Sequence, residues 1–220
     1  NGQTIDAQTP NQGLWNPATG SYATATAVTV YFTTSETADC KWSLTNQGYL
    51  AMTNDCTGDG TTSQTCPVTG LPDGATDTVY ISCRDSYGNP DSGNVSGTYK
   101  VDTTAPSDPA TVNDGTGADI SIATSTTSIS ANWSLSTDSE SGVQRYWYSI
   151  GTTSGASDVV SWTNNGTATG TSVAGTYIHG TTYYFNVTTE NNAGLFSGVV
   201  SSNGQTIDAQ TPNQGLWNPA

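Results

Sequence analysis

The sequence predicts an all-β protein, with two β-sandwich domains in each 202-residue tandem repeat. Three observations carry that prediction. Residues 1–18 read NGQTIDAQTPNQGLWNPA and residues 203–220 read the same, all 18 positions matching at an offset of 202. Helical periodicity is nearly absent; short β-branched and aromatic runs alternate with Gly, Asp, Asn and Pro turns, the pattern of short strands in a sandwich. A punctuation of the form apolar–Asp–x–x–x–Pro recurs, as Ile5-Asp6 to Pro10, Val101-Asp102 to Pro106 and Ile207-Asp208 to Pro212. Its spacings of 96 and 106 residues each suit one compact domain.

The 18-residue identity implies a stretch of a longer tandem array, and the single Met is Met52. Proline fixes φ and removes a donor, so strands tend to end or restart at the punctuation. The expected division is then residues 1–5 as the end of a preceding repeat and 6–101 as the first domain. Residues 102–207 form the second domain, and 208–220 the start of the next repeat.

Composition bounds the rest. Only 33% of residues are hydrophobic, but domains of this length still bury a modest two-layer core. No stretch approaches 18 apolar residues, so no membrane span is expected. The net charge of −14, with four Lys and Arg in all, excludes nucleic acid as a partner because nothing would neutralise its phosphates. It favours solubility and attraction for divalent cations. Scarce Lys and Arg also leave few sites for trypsin-like proteases, which suits exposure outside a cell.

In the first domain, strands are expected near 26–34, 38–45, 63–69, 76–84 and 94–101. Val28, Val30 and Phe32 share one face, as do Cys40, Trp42 and Leu44, and again Val79, Ile81 and Cys83. The period of two lets each set point inward. The four cysteines, Cys40, Cys56, Cys66 and Cys83, allow three connectivities. They contain no CxxC and the sole histidine is distant, so disulfides in an oxidising, extracellular setting fit better than zinc. In an immunoglobulin-like strand order, Cys40 and Cys83 fall on the third and sixth strands, which are sheet neighbours. Cys40 then pairs with Cys83, leaving Cys56 with Cys66 across a ten-residue loop. This differs from antibody domains, whose bridge crosses between sheets from the second strand.

The second domain carries Ile129-Ser130-Ala131-Asn132-Trp133, then Tyr146-Trp147-Tyr148-Ser149-Ile150. Gly180-Thr181-Thr182-Tyr183-Tyr184-Phe185-Asn186-Val187 follows, then Asn191-Asn192-Ala193-Gly194-Leu195-Phe196-Ser197. These runs resemble the second, third and sixth strands and the last turn of a fibronectin type III-like module. The resemblance implies a tyrosine-corner role for Tyr183 and a setting in a large microbial extracellular surface or filament protein. The first domain matches more weakly, through the comparable turn Cys83-Arg84-Asp85-Ser86-Tyr87-Gly88-Asn89. The resemblance brings no catalytic residues, and the fold hosts many functions.

Candidate chemistry is sparse. An immunoglobulin-like sandwich gathers its incoming linker and two turns at one pole. That pole would hold Asp102, Asp138, Glu140 and Glu190 in the second domain, and Asp6, Glu36, Asp39 and Asp85 in the first. Oxygen ligands from several loops suit Ca²⁺, with solvated turn acids as the plain alternative. No linear calcium loop is present. Strand parity turns Arg145, Trp147 and Tyr184 outward as a candidate contact patch, for self-contact or for a glycan; ordinary cross-strand packing is the alternative. Sequons at Asn94, Asn132, Asn165 and Asn186 are candidate glycosylation sites on loops or outward strand positions. His179 stands alone and no phosphate loop occurs. Asp138 with Glu140 is a weak carboxylate pair, and Lys41 and Lys100 have no spacing that supports isopeptide bonds. No enzyme activity and no required cofactor are expected.

The sequence thus points to a building block of an extracellular filament, stalk or sheath, with neighbouring copies of itself as the partner. The rival is an adhesin repeat, or a non-catalytic spacer or glycan-binding module of a secreted protein.

Overall fold

The computed structural model describes residues 7–91 and 93–211. The chain divides into two compact units, Asn1–Thr104 and Ala105–Ala220. Both are all-β.

The first unit contains β1 (Tyr22–Ala23), β2 (Ala27–Ser43), β3 (Asn54–Asp55), β4 (Thr61–Thr69), β5 (Thr76–Asp85) and β6 (Val95–Val101). Where the sequence suggests two strands, 26–34 and 38–45, the structure has one. Residues 35–37 contain no Gly or Pro, so nothing forces the extended backbone to turn. The first half of β2 pairs with β4; its second half pairs with β5 and β3. One strand therefore ties β4 to β5 and β3 within a single six-stranded sheet, and a register shift between Thr33 and Ala38 marks the change of partner.

Alternation along β2 buries Val30 and Phe32 in one half and Cys40 and Trp42 in the other. They meet Val68, Val79, Ile81, Cys83, Tyr99 and Val101 in one core. Cys40 lies directly opposite Cys83 on adjacent strands, and the two are bonded. Cys56 is bonded to Cys66. Both pairings are those that strand parity suggests.

The second unit contains β7 (Val112–Asp114), β8 (Ile122–Ala123), β9 (Ser128–Trp133), β10 (Val143–Gly151), β11 (Val160–Asn164), β12 (Gly170–Ala174), β13 (Thr182–Asn191), β14 (Val200–Ser201) and β15 (Gln205–Ile207). One layer runs β12-β9-β7; the other runs β11-β10-β13-β15-β8, with β14 on β13. Aromatic contacts fill the space between them. Trp133 and Tyr146 stand 6.0 Å apart, Tyr148 and Phe185 6.2 Å, and Tyr177 and Tyr183 5.1 Å edge to face. The Tyr183 hydroxyl accepts the Ile178 N–H at 3.0 Å, which is the tyrosine-corner contact the resemblance implies.

Both units end alike. In the first, β6 lies parallel to β1, with Val101 opposite Ala23, and the next N–H, of Asp102, donates to the Ala23 carbonyl at 3.0 Å. In the second, β15 lies parallel to β8, with Ile207 opposite Ala123, and Asp208 N–H donates to the Ala123 carbonyl at 2.8 Å. Gly74 N–H and Gly180 N–H hold the Val101 and Ile207 carbonyls from the other side; both glycines have positive φ, which other residues seldom adopt. The apolar–Asp pair is thus the last strand residue and the turn that follows. Asp102 accordingly belongs to the first unit, not to the head of the second as the sequence suggested. Its carboxylate accepts the Thr104 N–H at 3.0 Å, and Asp208 likewise accepts Gln210 N–H at 3.2 Å.

The two disulfides close loops of 43 and 10 residues. Loop-closure entropy favours the longer by about 1 kcal/mol within a usual range of about 2–4 kcal/mol. Replacing Cys40 and Cys83 by Ala should therefore lower the first unit's melting transition more than replacing Cys56 and Cys66. The second unit's transition should stay in place in calorimetry of both variants.

Candidate functional site

The 18-residue sequence that occurs twice is held by each unit through a different part. In the first unit, residues 11–16 lie along the free side of β2. Gly13 N–H donates to the Thr33 carbonyl at 2.7 Å, Asn16 and Tyr31 exchange both backbone bonds at 2.8 Å, and Ser35 N–H donates to the Asn11 carbonyl at 2.9 Å. Two side chains fix the register. Gln12 Nε2 donates to the Ile81 carbonyl at 3.0 Å and to Asp91 Oδ2 at 3.1 Å, while its Oε1 accepts Trp15 Nε1–H at 3.2 Å. Trp15 packs on the core 6.3 Å from Phe32. It lies over Gly97, where an added Cβ would come within 2.7 Å of the indole, so only glycine leaves room for the ring. Tyr99 Oη donates to the Pro17 carbonyl at 2.9 Å.

In the second unit the opening residues of the other copy are held. Gly204 N–H donates to Asp114 Oδ2 and Gln205 Nε2 to Asp114 Oδ1, both at 2.9 Å. Gln205 Nε2 also reaches the Ser130 carbonyl at 3.0 Å, and Asn203 Nδ2 donates to Asp119 Oδ2 at 2.7 Å. Gln205 and Ile207 are fully buried. Gly204 has φ +93° and would bring a Cβ to 2.7 Å from the Tyr184 ring. Sequence reasoning missed these contacts, since β7, β8 and β15 are too short to show periodicity. The signal available was the repeat's own composition: amide side chains beside single large apolar residues.

Asp114 is the buried anion of this arrangement. Burial raises its carboxyl to about 6, partly offset by hydrogen bonds from Ser202, Gln205 and Gly204, with the Asp119 charge adding to the rise.

The outward patch is partly as expected. Arg145 and Trp147 lie together: Trp147 Nε1 donates to Glu190 Oε2 at 2.7 Å, Arg145 Nε stands 3.3 Å from the same carboxylate, and the guanidinium is 6.0 Å from the indole. Tyr184 is not with them. It lies opposite Gly151, whereas Trp147 lies opposite Thr188, and it covers Gly204 instead. Trp162, Phe196 and Val199 join Trp147 around a shallow depression of about 400 Å³. Trp162 was findable, because it sits at an outward position of a short alternating run.

The acids do not assemble as expected. Among the described residues no three His, Cys, Asp or Glu side chains form a group that could hold a metal ion. Asp138 Oδ1 accepts the backbone N–H groups of Glu140, Ser141 and Gly142, and Oδ2 accepts Asn191 Nδ2. Burial pushes its carboxyl up, but these donors outweigh it and hold it below the ordinary value. Asp85 likewise accepts Tyr87 N–H, Asn89 N–H and Asn89 Nδ2, and these outweigh its burial in the same direction. Asn191 repeats that turn in the second unit, accepting Ala193 and Leu195 N–H. Glu190 is taken up by Arg145 and Trp147.

Asp39 accepts the Tyr49 hydroxyl and faces Arg84 at 3.8 Å. Arg84 and Lys41 both lie over the Tyr49 ring, at 4.6 and 5.0 Å. Asp39 and Asp85 do line one depression of about 430 Å³, with Arg84 in its wall. Tyr49 is pushed to about 12 by burial and then by its bond to Asp39. Glu36 is half-buried, and its carbonyl accepts the Thr34 hydroxyl. Asp6 lies outside the described residues. His179 Nδ1 accepts Ala209 N–H at 3.2 Å, a turn-capping role.

Of the sequons, Asn94, Asn132 and Asn165 are half-buried, and each amide donates to a backbone carbonyl. Asn186 is outward on the pleat but fully buried. Residues around Ala156 fold over it, its Nδ2 donating to the Ala156 carbonyl and its Oδ1 accepting Gly155 N–H. The expectation that it offers an accessible glycan site is therefore corrected.

In shape the chain matches the fibronectin(III)-like modules of CbhA from Clostridium thermocellum, with a TM-score of 0.55 and 13% identity over 94% of this chain and all of that one. The fold is fibronectin type III-like. The FN1-FN3 domains of chicken CNTN1 align over 86% of this chain and 66% of theirs, with a TM-score of 0.49 and 12% identity. No protein-family model matches the sequence and no curated protein is similar to it.

Two outcomes follow. Because Asp114 holds its proton more tightly folded than unfolded, its own contribution to the second unit's stability is full below about pH 4, opposite in sign to that of Asp138. That contribution should fall by on the order of 2 kcal/mol as pH rises to about 6. Asp114→Asn should flatten that slope in melting curves across this range. Asp138→Ala strands three backbone donors and should cost about 1–3 kcal/mol in urea unfolding of the second unit.

Proposed function

We propose that this chain is a structural building block of an extracellular filament, stalk or sheath made of tandem β-sandwich repeats. The observation that carries the proposal is the split use of the repeated sequence. Residues 203–207 are held in the second unit, with Gln205–Ile207 as its last strand, and residues 11–16 lie along β2 of the first unit through isolated bridges at Gln12 and Asn16. A single 18-residue copy therefore contains the end of one unit type and the beginning of the other. Repetition at a period of 202 residues then generates alternating sandwiches without further linker sequence.

The supporting features are mechanical rather than catalytic. Two disulfides suit an oxidising exterior. Turn carboxylates and amides are spent on backbone donors, which leaves short, fixed loops. Ca²⁺ and glycans on Asn94, Asn132 or Asn165 belong to this proposal as additions to it, not as its basis. A second function, contact with a glycan or another secreted protein in an adhesin or spacer, is favoured by the Trp147–Trp162–Phe196 depression alone.

Chain length is the test. Strands of about eight residues at ~3.3 Å per residue give sandwiches of ~25–35 Å, so a repeat adds roughly 60–80 Å if extended. Small-angle scattering should show the maximum dimension growing by that increment from one to two 202-residue repeats. A two-repeat chain of unchanged maximum dimension, or a tight glycan ligand for the aromatic depression, would favour the binding-module function instead.

A further inference from the structure

We infer that the groove of the first unit now filled by residues 10–17 is an acceptor for the same sequence supplied by a second copy of this chain. Such exchange would join copies end to end. The inference rests on the proposed filament role for its purpose and adds the residues that make the joint.

The acceptor has three selective features. The free side of β2 offers backbone groups of Tyr31, Thr33 and Ser35 to an incoming strand. The Ile81 carbonyl and Asp91 accept one amide side chain. Asp91 is itself positioned by Ser82 and by Cys83 N–H. Gly97 leaves a flat space that an indole fills. Asn11, Gln12, Gly13, Trp15 and Pro17 answer these features, and residues 213–219 repeat them in the same order.

The occupant is thus specified by sequence identity. Whatever holds residues 10–17 will hold residues 212–219 of another copy with the same contacts. The other half of the connector is anchored independently, because Asn203, Gly204, Gln205 and Ile207 are bound within their own second unit. A copy whose 208–220 segment enters a neighbour's groove is therefore held at both ends of the 18-residue sequence. The contact is head-to-tail: each donated segment displaces a resident one and the accepting copy still carries its own 208–220 segment, so it propagates rather than closing as a pair.

The test weakens the resident segment and leaves its twin intact. Trp15→Ala in the full chain should give oligomers that grow with concentration in sedimentation velocity. A synthetic peptide of residues 208–220 should dissolve them and raise the melting midpoint of the first unit as its concentration rises. Trp15→Ala with Trp217→Ala should stay monomeric, and adding Gly97→Val to Trp15→Ala should abolish the peptide effect.

A Trp15→Ala chain that stays monomeric and melts identically with and without peptide overturns the inference. So does a double variant that assembles like the single one. If Trp15→Ala unfolds the first unit, the unaltered chain in mild urea decides. Uptake of fluorescent 208–220 peptide, but not of its Trp→Ala analogue, supports exchange; equal uptake or none overturns it. Failure here leaves the growth of length with repeat number untouched, and failure of that growth leaves exchange standing.

Discussion

In both units the closing strand lies between an antiparallel neighbour and a two-residue parallel strand from the beginning of the same unit. β6 joins β5 to β1, and β15 joins β13 to β8. The pairing is brief, so it depends on the bonds around it: an aspartate N–H extends each ladder by one step, and a glycine N–H holds the last apolar carbonyl from the opposite side. With a third of the residues hydrophobic, neither core has apolar area to spare. Val101 in one unit and Ile207 in the other are buried in these short pairings. The ends of the units and the placement of Asp102 and Asp208 in the turns beyond them follow from the pairings.

Polar side chains do the work that longer strands would do elsewhere. Asp85, Asp138 and Asn191 each gather two or more backbone donors into one turn. Asn186 ties a loop down onto its strand, and Gln12 and Gln205 reach across gaps that no backbone bond spans. Buried polar groups are tolerable only when satisfied, and these amides and carboxylates are satisfied by backbone. An acidic chain arranged in this way gathers few free oxygens at any one place, despite its charge.

Much of the fold was legible because alternation is a strong signal in strands of five residues or more. Val79, Ile81 and Cys83 gave the face of β5 and hence the Cys40–Cys83 bond; Tyr183 gave its corner. What escaped was set by contacts distant in sequence. Nothing between Thr34 and Ala38 announces that β2 changes partner without a loop. Asp138 and Glu190 look like ligands in sequence, and only the fold shows that backbone donors and Arg145 occupy them. Strand parity placed Asn186 and Tyr184 outward correctly but could not say what folds over them. The punctuation motif was visible, yet its meaning shifted by a few residues, because the aspartate closes a unit instead of opening one.

The parallel arrangement of β1 with β6 and of β8 with β15 has a consequence for load. Once the upstream segments, residues 11–16 in one unit and β7 in the other, are drawn away, tension along the backbone reaches β1 or β8 and leaves through β6 or β15. Since the paired strands point the same way, pulling on the two ends slides them past one another instead of peeling them apart. Every bond across the pair, including those to Ala23 and Ala123, is then strained at once, and rupture requires them to fail together.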